Sequence, residues 1–286
     1  MAQPILSVVI PTWNRAKLVC EAIESALLQR AGDIEVIVVD DGSTDGTAPT
    51  LARRFGERIK LLKIPSRQGV GAARNLGVAA ARGEWLAFLD SDDLWLAGKF
   101  DAELRVLQSF PSAEAIVSDS VIFKHGQCSS QTWFESNGLL GATQGRVRWL
   151  ADCPWLWGHW KNTLAMCSIT LRRDVLPRLG QPAFPEDLVS GEDWEWEMRV
   201  YNKCRVAVLP EVLAHVRRDQ DDARPGRAVP GVAGTLDQQI RLLRDKLTIL
   251  ERTLTLSDLG SDVASEIERC RLTTAEELSS YEVAEA

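Results

Sequence analysis

Residues 85–93 read Trp85-Leu86-Ala87-Phe88-Leu89-Asp90-Ser91-Asp92-Asp93. Five apolar residues in succession suit a strand buried on both faces, as the inner strands of a parallel sheet are. Three carboxylates then crowd its carboxyl end. Neighbouring carboxylates repel one another, so such a cluster is costly unless a cation sits among them. Hard carboxylate oxygens suit Mg2+ or Mn2+, and such ions usually bind phosphate as well. Surface turns often produce a lone Asp-x-Asp. Here the fully apolar strand before it, and two further polar strand ends upstream, give the pattern its weight.

Working outward, Ile5 to Ile10 is almost all apolar and is closed by Pro11, Ile34 to Val39 reads as a second buried strand, and Ile59 to Ile64 as a third strand. Between them lie helical patterns. Lys17 to Gln29 carries a stripe at Val19, Ile23, Ala26 and Leu27, and Val70 to Ala81 is Ala-rich. Leu94 to Ser109 reads as a helix and Ala115 to Val117 as the start of a fifth strand. Asp41-Gly42-Ser43-Thr44-Asp45 is a turn in which Ser43 or Thr44 would cap the following helix. Strand and helix alternate four times in about 110 residues, the signature of an open parallel sheet with helices on both faces. Ligands of such sheets sit beyond the carboxyl ends of the strands. Thr12-Trp13-Asn14, Asp40-Asp41 and Asp90 to Asp93 all fall there.

The pattern is less regular from Asp119 to Gly191, which holds five of the ten tryptophans: Trp133, Trp149, Trp155, Trp157 and Trp160. Glu192 to Val200 reads as a helix, Val206 to Leu209 as a short strand, and Arg217 to Val232 as a loop rich in Arg, Asp, Pro and Gly. Leu236, Ile240, Leu243, Leu247, Leu250 and Leu254 alternate spacings of four and three. That seam is too short to specify a coiled coil. Two readings stand: a helix packed on its own domain, and a homodimer joined through residues 236–254.

The chain has 286 residues, 45% hydrophobic and 26% charged, with net charge −7. The balance is that of a folded protein. The negative charge argues against nucleic acid as a partner. From Asp258 to Ala286 eight carboxylates stand against two arginines, so −6 of the −7 lies in an acidic tail read as a solvated end. Cys20, Cys128, Cys153, Cys167, Cys204 and Cys270 show no CxxC spacing, which fits a reducing compartment. Neither a leader pattern at the N-terminus nor a bilayer-length apolar run is visible. The expectation is a cytoplasmic protein, with peripheral contact at the cytoplasmic membrane left open.

Four segments together carry a resemblance: Ser7-Val8-Val9-Ile10-Pro11-Thr12-Trp13-Asn14-Arg15, Val38-Val39-Asp40-Asp41-Gly42-Ser43-Thr44-Asp45, Gly69-Val70-Gly71-Ala72-Ala73-Arg74-Asn75-Leu76-Gly77 and Phe88-Leu89-Asp90-Ser91-Asp92-Asp93. In order and spacing they resemble the family-2 inverting glycosyltransferases of GT-A fold, and with Ser190-Gly191-Glu192-Asp193-Trp194 the resemblance covers roughly residues 5–220. It implies a mostly parallel Rossmann-like α/β sheet with a C-terminal helical extension. Residues 1–118 would bind the nucleotide sugar, 119–232 would be the acceptor-binding and catalytic half of the same domain, and 233–286 the extension.

The resemblance also implies roles. Pro11, Thr12, Trp13, Asn14 and Arg15 fall in the donor site, with Trp13 as the aromatic that stacks on the nucleotide base; an indole face can do this. Asp41 would accept from the base, and Arg74 would meet phosphate oxygens, which suit guanidinium. Asp92 would bind Mn2+ or Mg2+. Asp90 would bind ribose or a metal-bound water, and Ser91 and Asp93 would line the same place. Asp193, with Glu192 beside it, is implied as the general base that removes the acceptor's hydroxyl proton. Relatives place a metal-ligand histidine near His215, often a few residues later, where this chain has Arg217-Arg218-Asp219. The tryptophans would build the acceptor side. A UDP- or dTDP-sugar donor and a carbohydrate or lipid-linked acceptor follow, with a GDP donor left open. The function implied is transfer in polysaccharide, lipid-linked or small-molecule glycoside biosynthesis. The alternatives are a non-catalytic nucleotide- or carbohydrate-binding protein on the same fold, and a sugar-nucleotidyltransferase. The second lacks its usual glycine-rich loop, since residues 11–15 contain no glycine.

Overall fold

A computed structural model describes residues 3–29, 33–124, 126–137, 145–150, 165–218, 236–256 and 259–285. Cys153, Trp155, Trp157, Trp160, Asp219 and the rest of the loop to Val232 lie outside the described residues.

The first half alternates as its apolar runs require. Strand β1 (Leu6–Thr12) leads to α1 (Ala16–Leu27), β2 (Ile34–Asp41) to α2 (Thr47–Phe55), β3 (Lys60–Ile64) to α3 (Val70–Ala80), and then comes β4 (Trp85–Phe88). These four strands form a parallel block in the order β3-β2-β1-β4, with β1 in register with both neighbours (Leu6 beside Ile34 and beside Trp85). Period-two alternation splits β1 between two cores. Val8 and Ile10 face α1, α2 and a later helix, α4 (Lys99–Ser109), while Val9 faces α3 and another helix, α7 (Glu192–Lys203). The sheet is therefore covered on both sides, and its mouth lies at the carboxyl ends of β1, β2 and β4.

Pro11 does not close β1, which runs on to Thr12. The Val9 carbonyl accepts from the Leu89 N–H at 3.0 Å. Pro11, two residues on, therefore faces the same side but lies beyond the end of the β1–β4 pairing, so its missing N–H breaks no ladder bond.

The second half departs from an all-parallel expectation. β6 (Ala115–Lys124) and β10 (Val206–Arg217) are parallel to each other, but β9 (Ile169–Arg172) joins them to the first block by running antiparallel to both β4 and β6. The remaining elements are β7 (Gln127–Thr132), α5 (Trp133–Ser136), β8 (Arg148–Trp149) and α6 (Leu176–Leu179). Two expectations need correction. The stretch from Leu94 is not helical at its start. Leu94 and Trp95 form a short strand, β5, against Ala214 and His215, and the helix begins at Lys99 after Gly98 turns the chain at φ 82°. The buried Trp95 explains this, because its indole N–H reaches the Cys167 carbonyl at 2.8 Å. The strand expected at Val206–Leu209 is twelve residues long. Its pairing shifts register between Leu209 and Ala214, so Pro210 and Glu211 sit in a bulge rather than a turn.

Two helices, α8 (Leu236–Leu254) and α9 (Ser261–Glu285), complete the fold. Ile249, Leu250 and Ile267 form a third core with Trp194 and Met198 of α7. Of the α8 seam, Leu250 belongs to this core and Leu254 packs against it, within the chain. The acidic tail is not a loose end: Ile267, Thr274 and Leu278 are buried along α9. No helix among the described residues is long and apolar enough to cross a membrane.

Candidate active site

A cleft of about 1330 Å³ opens at the mouth of the parallel block. Its floor is made of the polar strand ends, and its far side of the segment 185–194 and the first turns of α8.

The β1 and β2 ends are stitched to each other. Asn14 adopts φ 49°, the left-handed region that asparagine tolerates better than most residues. Its N–H donates to Ser43 Oγ at 2.8 Å, and its Oδ1 accepts from the Thr44 N–H at 2.8 Å. Ser43 and Thr44 therefore hold Asn14 and do not cap α2. That helix starts after Gly46, and Asp45 Oδ1 accepts from the Thr47 N–H at 3.0 Å. Asn14 itself stays outside the wall of the cleft, but the bonds it makes fix Trp13 and Arg15, which line it. The Arg67 guanidinium lies 3.8 Å over the Trp13 ring.

Asp41 is buried at the cleft floor. Its two oxygens accept from the Gln68 and Gly69 N–H groups, each at 2.8 Å, which fixes the loop entering α3. From α3, Arg74 reaches to the centre. It is 2% exposed and bridges Asp90 (2.8 Å) and Glu192 (2.6 Å). Burial opposes its charge, but the carboxylates of Asp90, Glu192 and Asp193 outweigh burial and hold it firmly protonated. Its Nε–H and the Thr12 hydroxyl are buried cleft-wall groups that make no hydrogen bond among the described residues.

The carboxylates after β4 are spread among different partners. Asp92 Oδ2 is 2.9 Å from Arg15 Nη1, and Asp93 Oδ1 accepts from the Arg217 N–H at 2.9 Å. Burial, and then the Asp90 charge, push Asp93 up to about 7 against the pull of Arg218. Pro11, Thr12 and Ser91 complete this wall.

On the opposite side, Glu192 and Asp193 start α7. An aromatic set anchors that helix. Phe88, the last residue of β4, packs edge-on against Phe184 (5.1 Å) and Trp196 (5.3 Å), which stack on each other at 5.0 Å. The strand that carries the first acids thereby also carries the helix that bears the second. Asp193 Oδ1 accepts from the Trp194 N–H at 2.8 Å. Burial and the Asp193 charge push Glu192 up to about 7, with Arg74 pulling it down. One turn further on, burial and the Asp193 charge hold the Glu197 carboxyl well above the usual carboxylate range.

His215 and the Arg217 side chain lie elsewhere. His215 is not in the cleft wall: its ring stacks on Phe123 at 5.2 Å, and Nε2 is 3.7 Å from Cys128 Sγ. Arg217 turns its side chain to Glu21 (2.7 Å), whereas Arg218 lines the cleft and lies over the Trp133 ring. Of the tryptophans, Trp133 lines the cleft, but Trp149 packs edge-on against Phe110 away from it. Sequence reasoning missed Arg67, Gln68, Asp245 and the α8 wall. The first two follow a strand end and could have been found by that rule; α8 carries no local signal for its place.

Among the described residues, no group of three or more His, Cys, Asp or Glu side chains is arranged to hold a metal ion. Asp90 and Asp92 nevertheless suit Mg2+ or Mn2+, which are commonly held by one or two carboxylates while substrate phosphates supply other ligands. The buried, unpartnered Arg74 Nε–H and Thr12 hydroxyl fit oxygens of such a phosphate group.

Residues 7–158 match the sequence family described as Glycosyl transferase family 2. An uncharacterized glycosyltransferase of Rickettsia conorii, RC0461, is 30% identical over 218 residues, which is 74% of this chain and 32% of that protein. The succinoglycan biosynthesis protein ExoO of Rhizobium meliloti is 44% identical over 90 residues, 32% of this chain and 26% of that one. The matched segments span about a quarter to a third of the length of these curated relatives. Among solved structures, S. aureus TarS 1–349 in complex with UDP-GlcNAc superposes with TM-score 0.66 at 20% identity, over 94% of this chain and 72% of that one. The mannosyltransferase PcManGT of Pyrobaculum calidifontis, in complex with GDP-Man and Mn2+, gives 0.62 at 20%, over 100% and 77%. These two likenesses concern the fold.

Proposed function

The chain belongs to glycosyl transferase family 2, and from that premise we propose that its cleft is the site of a metal-assisted, inverting transfer of a sugar from a UDP- or dTDP-sugar to an acceptor hydroxyl. The observation that carries the reading is Arg74. This one buried guanidinium joins Asp90, at the end of β4, to Glu192, which lies 118 residues after Arg74 itself, and so draws the two carboxylate groups into one cleft.

The division of labour follows from chemistry. Trp13 and Asp41 take the nucleotide base, by stacking and hydrogen bonding respectively. Arg74 and Thr12 have unused donors for the diphosphate. Asp90 and Asp92 would hold Mn2+ or Mg2+, which when bound neutralises charge developing on the leaving diphosphate. Asp193 is the base. As the acceptor oxygen bonds to the anomeric carbon, its proton passes to the Asp193 carboxylate. The carbon–oxygen bond to the diphosphate breaks, and the electron pair leaves with the nucleoside diphosphate. Attack from the face opposite the leaving group inverts the anomeric centre. Glu192, committed to Arg74, positions. The acceptor side is walled by Trp133, residues 185–190 and the first turns of α8, a surface suited to a carbohydrate or lipid-linked acceptor.

The test is nucleoside diphosphate release from UDP-, dTDP- and GDP-sugars with Mn2+, using wild-type protein and Asp193→Asn. A base contributes about 10²–10⁴-fold, so the variant is expected to lose at least about a hundredfold in kcat while binding donor normally. Turnover that survives the substitution would remove Asp193 from the mechanism.

A further inference from the structure

One face of α8 carries Gln238, Leu242, Asp245, Ile249 and Arg252, at alternating spacings of four and three. Its first turns line the cleft at Gln238 and Leu242. Its later turns grip the loop that enters α7. Asp245 Oδ2 accepts from the N–H groups of Val189 (3.2 Å) and Ser190 (3.1 Å). Ile249 backs Gly191, which has φ 83°: a Cβ there would stand 2.7 Å from Ile249 Cδ1. Arg252 pairs with Asp187. Every one of these grips falls within five residues of Glu192-Asp193, and Trp194, the next residue, packs on Ile249 and Leu250.

Asp245 is the polar centre of this grip. Val189 is an exposed apolar residue on an exposed loop, where a backbone has little reason to hold one shape. A carboxylate taking two successive amides fixes it, as charge-assisted bonds to backbone N–H groups are among the stronger ones. The same amides lower the Asp245 carboxyl against the larger, raising effect of its burial.

We propose that Asp245 is a positioning residue for the base: helix α8 holds loop 187–191 so that Asp193 meets the acceptor oxygen at the right distance and angle. The proposal rests on the functional reading above. It also makes α8 a wall that touches the acceptor side at one end and the base's loop at the other.

Three full-length proteins test it: wild type, Asp245→Ala and Asp245→Asn, with Asp193→Asn as reference. The first readout is hydrogen exchange of peptides covering residues 186–195. Exchange at Val189 and Ser190 is expected to speed up in Asp245→Ala and to stay near wild type in Asp245→Asn, whose amide oxygen still accepts. The second is Mn2+-dependent hydrolysis of UDP-GlcNAc and of GDP-mannose, with water in place of the acceptor. Misplacing a reacting group is costly, so Asp245→Ala is expected to lower kcat about tenfold or more with donor KM within about twofold, and Asp245→Asn to recover most of the loss. Unchanged exchange overturns the grip. Unchanged kcat in Asp245→Ala, where Asp193→Asn abolishes hydrolysis, overturns the positioning role and leaves the functional reading intact. A parallel loss of donor affinity, or no recovery in Asp245→Asn, reduces Asp245 to a structural residue. A wild type that hydrolyses a donor but is indifferent to Asp193→Asn contradicts the functional reading itself, and the positioning role falls with it.

Discussion

Arg74 shows how much one side chain can decide. It is buried with two carboxylate partners, and removing one member of a buried ion pair leaves a charge uncompensated. Arg74→Ala is expected to lower stability by about 3–5 kcal/mol in urea unfolding. Arg74→Lys should recover only part, because an ammonium cannot fork between Asp90 and Glu192 as a planar guanidinium does. Glu192 adds a pH signature. Its folded-state value of about 7 lies above the unfolded value of about 4.3. The folded state therefore holds a proton that the unfolded chain releases. The stability this confers is complete below the unfolded value and is lost as pH rises through about 7. Glu192→Gln should flatten that slope, seen as a smaller gap between urea midpoints at pH 5 and pH 8. Asp90 and its neighbours were visible in the sequence from their place after an apolar run, whereas Glu192 and Asp193 stood out only through the family resemblance. The sharing of Arg74 between Asp90 and Glu192 was not visible, since nothing local links residues 74 and 192.

Elements are set by what they must pack against. Helix α3 lies so close to β1 that a Cβ on Gly77 would stand 2.3 Å from Val9 Cγ1. A β-branched neighbour has few rotamers to retreat into. Gly77→Ala should therefore destabilise by about 1–3 kcal/mol through overpacking, despite alanine's better helix propensity, as thermal or urea unfolding would show. The alternating elements of the first half were legible because parallel strands buried on both faces are continuous apolar runs. Two readings failed where tertiary contacts outweighed local pattern. Leu94 and Trp95 join β10 instead of starting a helix, since burial of Trp95 and its indole bond to Cys167 fix them as strand. The strand expected at Val206 to Leu209 runs on to Arg217, because a bulge at Pro210 and Glu211 lets the pairing with β6 resume.

At the scale of the whole molecule, two halves share one sheet, and the cleft lies where the parallel block meets the second half. The antiparallel insertion of β9 was invisible in the sequence: four residues pair with strands about 50 to 85 positions away. The third core was half visible. The apolar seam of α8 read as packing or dimerisation, and the structure spends Ile249 and Leu250 on Trp194 and Met198 of the same chain. Removing residues 236–286 should therefore uncover Trp194 and Met198, remove the α8 grip, and lower the midpoint of urea unfolding.

The strand-end carboxylates and the polar wall facing them are proposed to form a metal-assisted nucleotide-sugar site. Calorimetric titration of UDP, dTDP and GDP into wild type and Asp92→Asn, with Mn2+ and with chelator, tests it most directly. UDP or dTDP is expected to bind wild type with Mn2+, and binding to weaken sharply both with chelator and in Asp92→Asn. Binding indifferent to metal and to Asp92, or no binding of any nucleotide, would contradict it.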